Sequence, residues 1–310
     1  MSQQEATGRR TASPGVIRVL ALSWEISLEA ANKSPRTVRT YLESLRLFDD
    51  HLEGRGMPQE AAKIRREHVE DFIAEILRRW KPATASNRFR GLQQFFRWCE
   101  EEGEVETSPM ARMTPPKVPE DPPPVLTDEQ LMKLLKACEG TTFADRRDAA
   151  VIRLFIDTGM RRAELTGLEV HDINLRLRVA VVTGKGGARR ACPFGRRTAR
   201  ALDRYLRARA KNREADCDAL WLGLGGPMTD SGIVQVVRRR AKLAGIDERV
   251  NLHRFRHTQA HCWLLEGGQG EDLMVLAGWR SRSMLSRYGA SAAATRAQEA
   301  HRRLALGDQL

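Results

Sequence analysis

The chain has 310 residues, 30% of them charged, with a formal net charge of +12. Its length suits about two ordinary domains, each large enough to bury its own core. No stretch reaches about 18 apolar residues, the N-terminus MSQQEATGRRTASPG lacks a signal peptide's apolar centre, and the five scattered cysteines contain no C-x-x-C pair. Membrane spans, disulfide scaffolds and cysteine zinc sites are thereby excluded, and a soluble cytoplasmic protein without a membrane partner is expected.

The charge is uneven. Residues 14–106 hold 15 Lys and Arg against 16 Asp and Glu, whereas residues 125–310 hold 33 against 21. A basic C-terminal part is the electrostatic footprint of a nucleic-acid binder, because neutralising phosphates releases condensed counterions. A merely solvated basic surface is the plainer alternative.

In chain order, residues 1–14 read as a flexible segment in which Arg9 and Arg10 could touch DNA. Helical periodicity follows at about 15–31, 35–53, 67–80 and 82–102, with Ser34-Pro35 as a cap and a first-turn proline. An α-helical domain over 15–106 is expected, and its DNA-binding candidates are Lys33, Arg36 and Arg39 on one helix and Arg88 and Arg90 on another. Seven of the thirteen prolines fall between Pro109 and Pro124, so residues 107–124 read as an extended linker.

A second domain over 125–290 opens with the capping box Thr127-x-x-Gln130 and continues with a helix at about 144–157. The period then changes: RVAVVT, a GKGG turn and ARRACPF predict a β-hairpin from Arg178 to Phe194. Further helices are expected at about 196–211, 230–244, 252–266, 271–277 and 292–304, the last within a C-terminal tail of residues 291–310. The class is mainly α with a small antiparallel β-sheet, without the strand–helix alternation of a dinucleotide-binding fold.

Chemistry concentrates in this second part. TGMRRAEL places Arg161 at a helix start and Glu164 one turn on, the spacing of an ordinary surface ion pair as well as of a working one. HRFRH sets His253 and Arg256 three apart, so that both can converge on one anion, and Lys185 lies at the hairpin tip. GWRSRSMLSRY brings Trp279 and, nine residues later, Tyr288 near the end of a short helix. Tyr41 and Tyr205 sit within amphipathic helical patterns, and Tyr288 has no such structural explanation. His253, His257 and His261 recur every four residues, but no H-E-x-x-H glutamate accompanies them and Arg254 and Arg256 intervene, which argues against zinc.

The T-G-M-R-x-x-E-L, G-K-G, H-x-F-R-H and L-A-G-W boxes, with Tyr288 nine residues beyond the last, resemble those of the tyrosine recombinases, or phage integrases, in order and spacing over about residues 15–290. The resemblance implies a two-domain DNA clamp, with an α-helical core-binding domain and a catalytic domain. It implies that Arg161 and Arg256 bind the scissile phosphate, that His253 accepts the Tyr288 proton and that Lys185 protonates the departing 5′ oxygen. Trp279 would hydrogen-bond a phosphate oxygen, and Glu164 would orient its neighbours. A phenol is only about one part in a thousand ionised at pH 7, a deficit of about 4 kcal/mol that such a site must offset.

The expected product is a 3′-phosphotyrosine formed without metal, cofactor or ATP. The expected partners are double-stranded recombination sites, three further copies in a synaptic homotetramer, and an accessory directionality factor. Integration or excision of a phage or mobile element is the expected role, and a Xer-like chromosome-dimer resolvase is the alternative. A type IB topoisomerase and a noncatalytic DNA-binding regulator are the rival readings. Trp279 stands where many family members carry histidine, so acid–base work there is in doubt. The short N-terminal segment suggests the simple type without a folded arm-binding domain, and the tail would dock on a neighbouring protomer or remain solvated.

Overall fold

Four amphipathic stretches before the proline-rich segment fold as α1 (Ile17–Ala30), α2 (Pro35–Gly54), α3 (Arg66–Arg79) and α4 (Pro82–Glu101). The computed structural model describes residues 15–119, 123–184, 187–246 and 250–309. Residues 1–14, with Arg9 and Arg10, and Lys185 lie outside the described residues. Two compact units divide between Glu120 and Asp121.

In the first unit, the Ser34 hydroxyl accepts from the Thr37 amide at 3.2 Å and Pro35 fills the first turn of α2, as Pro82 does for α4. Aromatic side chains form the core: Trp24 meets Phe95, and Phe48 meets Phe72, edge to face at 5.2 Å between ring centroids. The helices α2 and α4 approach so closely that a Cβ on Gly91 would stand 2.8 Å from the Ser44 hydroxyl. The segment from residue 107, expected to run extended, begins instead by folding back. Met110 is buried in the helical core, and the apolar area it removes from water favours the turn over a free strand.

The second unit contains α5 (Asp128–Lys136), α6 (Phe143–Thr158), α7 (Arg162–Thr166), α8 (Arg196–Arg209), α9 (Asp230–Leu243), α10 (Leu252–Leu265), α11 (Gly270–Ala277) and α12 (Arg282–Leu304). Its sheet runs β1 (Ile173–Asn174), β2 (Val179–Thr183) and β3 (Arg189–Pro193), antiparallel throughout. Both Thr127 and Thr142 start their helices with reciprocal capping boxes. α6 is the centre of the core: Val151, Leu154 and Phe155 are fully buried with Leu202 and Tyr205 of α8 and Phe255 of α10.

The sheet register pairs Ala180 with Cys192 and Val182 with Arg190. Ala180, Val182 and Cys192 are buried, so alternation turns Arg190 inward with them while Arg189 and Ala191 stay exposed. At the C-terminus the structure corrects an expectation. Tyr288 does not end a short helix: α12 continues unbroken for 23 residues through Gly289. A mid-helix glycine costs about 1 kcal/mol, and the alanine-rich run behind it offsets that cost with Ala292 fully buried. In the same chain, Arg296 donates to the Leu264 carbonyl at 2.8 Å and Ser291 pairs with His261 at 2.9 Å, fastening α12 to α10.

Candidate active site

Two helices end where the site begins. α6 stops at Gly159 and α11 at Gly278, both in the left-handed conformation (φ +53° and +63°) that glycine adopts without a Cβ penalty. Their last carbonyls, which have no partner within the helix, become acceptors for arginines. Arg256 donates to the Gly159 carbonyl at 2.9 Å and to the Ala277 carbonyl at 2.6 Å, and Arg161 donates to the Gly278 carbonyl at 3.1 Å. Gly278 is also short of space, because a Cβ there would lie 3.2 Å from Arg190.

Arg161 precedes α7, and Glu164 in its first turn closes a box around it. The Glu164 carboxylate accepts from the Arg161 amide at 2.7 Å and from its guanidinium at 2.8 Å. Arg190 completes the clamp with two parallel bonds to the same carboxylate at 2.6 and 2.8 Å, and a third to the Leu276 carbonyl at 2.9 Å. Burial alone would raise the Glu164 pKa; the Arg190 fork, the Arg161 amide and the Arg161 guanidinium reverse this and hold it at about 2. Glu164 is thus a buried hinge between two cations and not a surface ion-pair partner.

Tyr288 lies in a small aromatic cluster, its ring 4.4 Å from His257 in a stack and 4.6 Å from Trp279. Its hydroxyl reaches His253 Nε2 at 3.4 Å, a long approach of the kind that tightens when a reacting group arrives. Burial, then Arg256, Arg287 and Arg161, lower the His253 pKa, so the ring is neutral at pH 7 and free to accept a proton. Burial and the neighbouring His253 push His257 down to about 4. Arg256 is lowered to about 10, by burial first and by Arg161 second, and remains charged at neutral pH. Its guanidinium stands 5.3 Å from the Trp279 ring, and the Trp279 indole nitrogen is buried without a hydrogen-bond partner. That orphan donor, and the excess of Arg161, Arg190 and Arg256 over the single carboxylate of Glu164, leave the site short of negative charge, which suits an anion with several oxygens.

The structure therefore brings together Arg161, Glu164, His253, Arg256, Trp279 and Tyr288. Arg190 escaped the sequence reading although β3 carried a signal for it: it is in phase with the apolar Cys192, and an arginine on an inner face requires a carboxylate. Within the first unit, Lys33, Arg36, Arg39 and Arg90 are exposed. Arg88 is half-buried: its side chain is 15% exposed, and its guanidinium donates to Glu43 at 3.1 Å and to Ser44 at 3.3 Å where α2 and α4 meet.

Residues 124–295 match the phage integrase family, and residues 20–103 match the phage integrase N-terminal SAM-like domain. A tyrosine recombinase XerC of Oceanobacillus iheyensis is 31% identical over 263 residues, covering 83% of this chain and 86% of the relative. A tyrosine recombinase XerD of Mycobacterium tuberculosis is 32% identical over 249 residues, covering 75% and 79%. In fold, the chain is similar to the XerH site-specific recombinase in its post-cleavage complex with difH substrate, with a TM-score of 0.74 at 20% identity over 91% of this chain and 86% of that one. It is also similar to lambda integrase in a tetramer bound to a Holliday junction, with a TM-score of 0.68 at 18% identity over 90% and 82%. The chain belongs to the phage integrase family: it is a tyrosine recombinase, an enzyme that cleaves and rejoins DNA.

Proposed function

We propose that this protein is a site-specific recombinase that breaks each strand by attack of the Tyr288 hydroxyl on a scissile phosphate. The observation that carries this reading is the Tyr288 hydroxyl 3.4 Å from a neutral His253, beside the carbonyl-held Arg256. His253 takes the phenolic proton as the oxygen–phosphorus bond forms. Arg161, Arg256 and the orphan indole N–H of Trp279 hold the nonbridging oxygens, whose charge grows in the pentacoordinate state. The bond to the 5′ oxygen breaks, and that oxygen takes a proton from Lys185, a role the family resemblance supplies. A 3′-phosphotyrosine remains, and attack by a 5′ hydroxyl from another strand reverses the step without ATP. The arginines supply the charge that a metal would otherwise bring.

The two domains are read as a core-binding unit over 15–106 and a catalytic unit over 125–290, with Lys33, Arg36, Arg39 and Arg90 on the DNA side of the first. A homotetramer on two synapsed duplexes in the cytoplasm is the working state, in line with the lambda integrase assembly. For the biological role, the XerC and XerD names of the relatives favour a Xer-like resolvase of chromosome dimers. Integration or excision of a mobile element is the second reading, carried by the phage integrase match over both parts of the chain.

Covalent trapping tests the chemistry. Wild type and Tyr288→Phe are incubated in EDTA with nicked substrates bearing either chromosomal resolution sites or candidate attachment sites. An adduct formed by wild type alone supports the mechanism, and the substrate that forms it separates the two roles. Tight binding with no adduct on any substrate would transfer the protein to the noncatalytic class.

A further inference from the structure

Six arginines line a groove of about 830 Å³ in the second unit: Arg146 and Arg153 of α6, and Arg197, Arg200, Arg204 and Arg207 of α8. None of them belongs to the Tyr288 cluster. The α8 set recurs at intervals of three and four residues, which places all four on one face of the helix. Of these six arginines, only Arg207 has a carboxylate within ion-pair distance among the described residues, Asp203 at 2.8 Å. Of the two acids on the groove wall, Glu139 and Asp145, the second is already committed to Thr142 at 2.6 Å and Arg240 at 2.9 Å. The four on α8 are exposed, and a groove lined so heavily by one sign of charge attracts an anion.

The dimensions favour an extended polyanion over a single small ion. At 1.5 Å per residue, Arg197 to Arg207 extend about 15 Å along the helix. A strand's phosphates wind around the duplex as they rise about 3.4 Å each along its axis, so a straight helix face of that length meets a few of them in succession. Leu135, Cys138, Ala149 and Ala201 contribute apolar surface to the groove, and no aromatic side chain lines it. Single-strand binders commonly add aromatic side chains on which bases stack, whereas a duplex backbone needs none.

We infer that this groove is a second DNA-binding surface, which holds the phosphate backbone of a further duplex segment without reading its sequence. It would let one protomer hold DNA outside the site at which it cuts.

The test uses the full chain with Arg200→Ala/Arg204→Ala, and with Arg200→Lys/Arg204→Lys as the charge-preserving control. Protein is first saturated on an immobilised unlabelled duplex of random sequence and then offered a labelled one. Wild type and the lysine variant capture the second duplex, and the alanine variant captures at least about tenfold less. The salt slope of its second-duplex capture falls by about 0.9 for each phosphate that is no longer neutralised. Its thermal unfolding and its Tyr288 adduct on nicked substrates stay at the wild-type level, which separates this surface from the cleavage site. Equal capture and an unchanged slope in the alanine variant would overturn the inference. So would preferential binding of poly-glutamate over duplex at the groove, which would assign it to an acidic protein partner.

Discussion

Two buried carboxylates in the second unit are held by arginines, and they serve different ends. Asp148, fully buried, accepts from Arg147 at 2.8 and 3.0 Å, from Arg239 at 2.6 Å and from Arg240 at 2.7 Å. The remaining donors of Arg147 and Arg240 go to the Leu222 and Ala137 carbonyls and to Asp145, so this knot ties α6 to α9 and to the chain around both. Glu164 is held as tightly, and each knot leaves one arginine half open: Arg239 keeps 51% of its side chain exposed and Arg161 keeps 45%. What differs is the company of the open cation, since Arg161 stands near enough to Arg256 and His253 to lower the pKa of both. A buried Arg–carboxylate group is therefore diagnostic of function only when its open guanidinium has neighbours able to act with it on one anion.

Four measurements put this contrast at risk. Asp148→Ala strands three guanidinium groups and should lower the unfolding free energy by about 3–5 kcal/mol in urea titration, the scale for half of a broken buried pair. A protein that still folds should keep its trapping rate per folded molecule. Glu164→Gln should do the reverse, slowing adduct formation by about 100-fold or more, the scale for removing one charge-stabilising group, with a smaller shift in urea midpoint. A loss of stability without a loss of rate would make Glu164 as structural as Asp148.

The third concerns pH. His257 has a folded pKa of about 4 against an ordinary 6.5, so between those values the unfolded chain binds more protons than the folded one. Stability is then present in full above pH 6.5 and lost as pH falls toward 4, by about 3 kcal/mol in all. His257→Asn should flatten the stability profile over that window, and an unchanged slope would locate the titration elsewhere. His253, lowered in the same direction, adds a fall in cleavage below its own pKa. The smallest effect belongs to Arg190→Lys, which keeps the charge but gives up the two-pronged grip on Glu164. Adduct formation should slow by about tenfold, and full activity would show that the fork does not position Arg161.

Much of the site was legible because its members lie in short boxes. Arg161 and Glu164, or His253 and Arg256, are a helical turn apart, so local geometry brings them together before any packing is known. Arg190 reaches Glu164 across 26 residues, and only the packing of α7 against β2, the strand paired with β3, makes them neighbours. The partners of Arg88 are hidden for a related reason: periodicity marks a basic position, but not whether an adjoining helix with a carboxylate stands close enough to meet it. The course of α12 was hidden by Gly289, whose local cost is visible in the sequence while the burial of Ala292 against it is not.

Because α12 is continuous, it constrains what happens between cutting and rejoining. Tyr288 stands within two turns of the helix start, and beyond it the same rod is moored to α10 at Ser291 and Arg296. α10 carries His253 and Arg256. On the proposed mechanism, a severed strand end esterified to Tyr288 hangs from a beam bolted to the element that holds its proton acceptor and its phosphate clamp. Such an end has little freedom to wander, and the incoming strand does the searching.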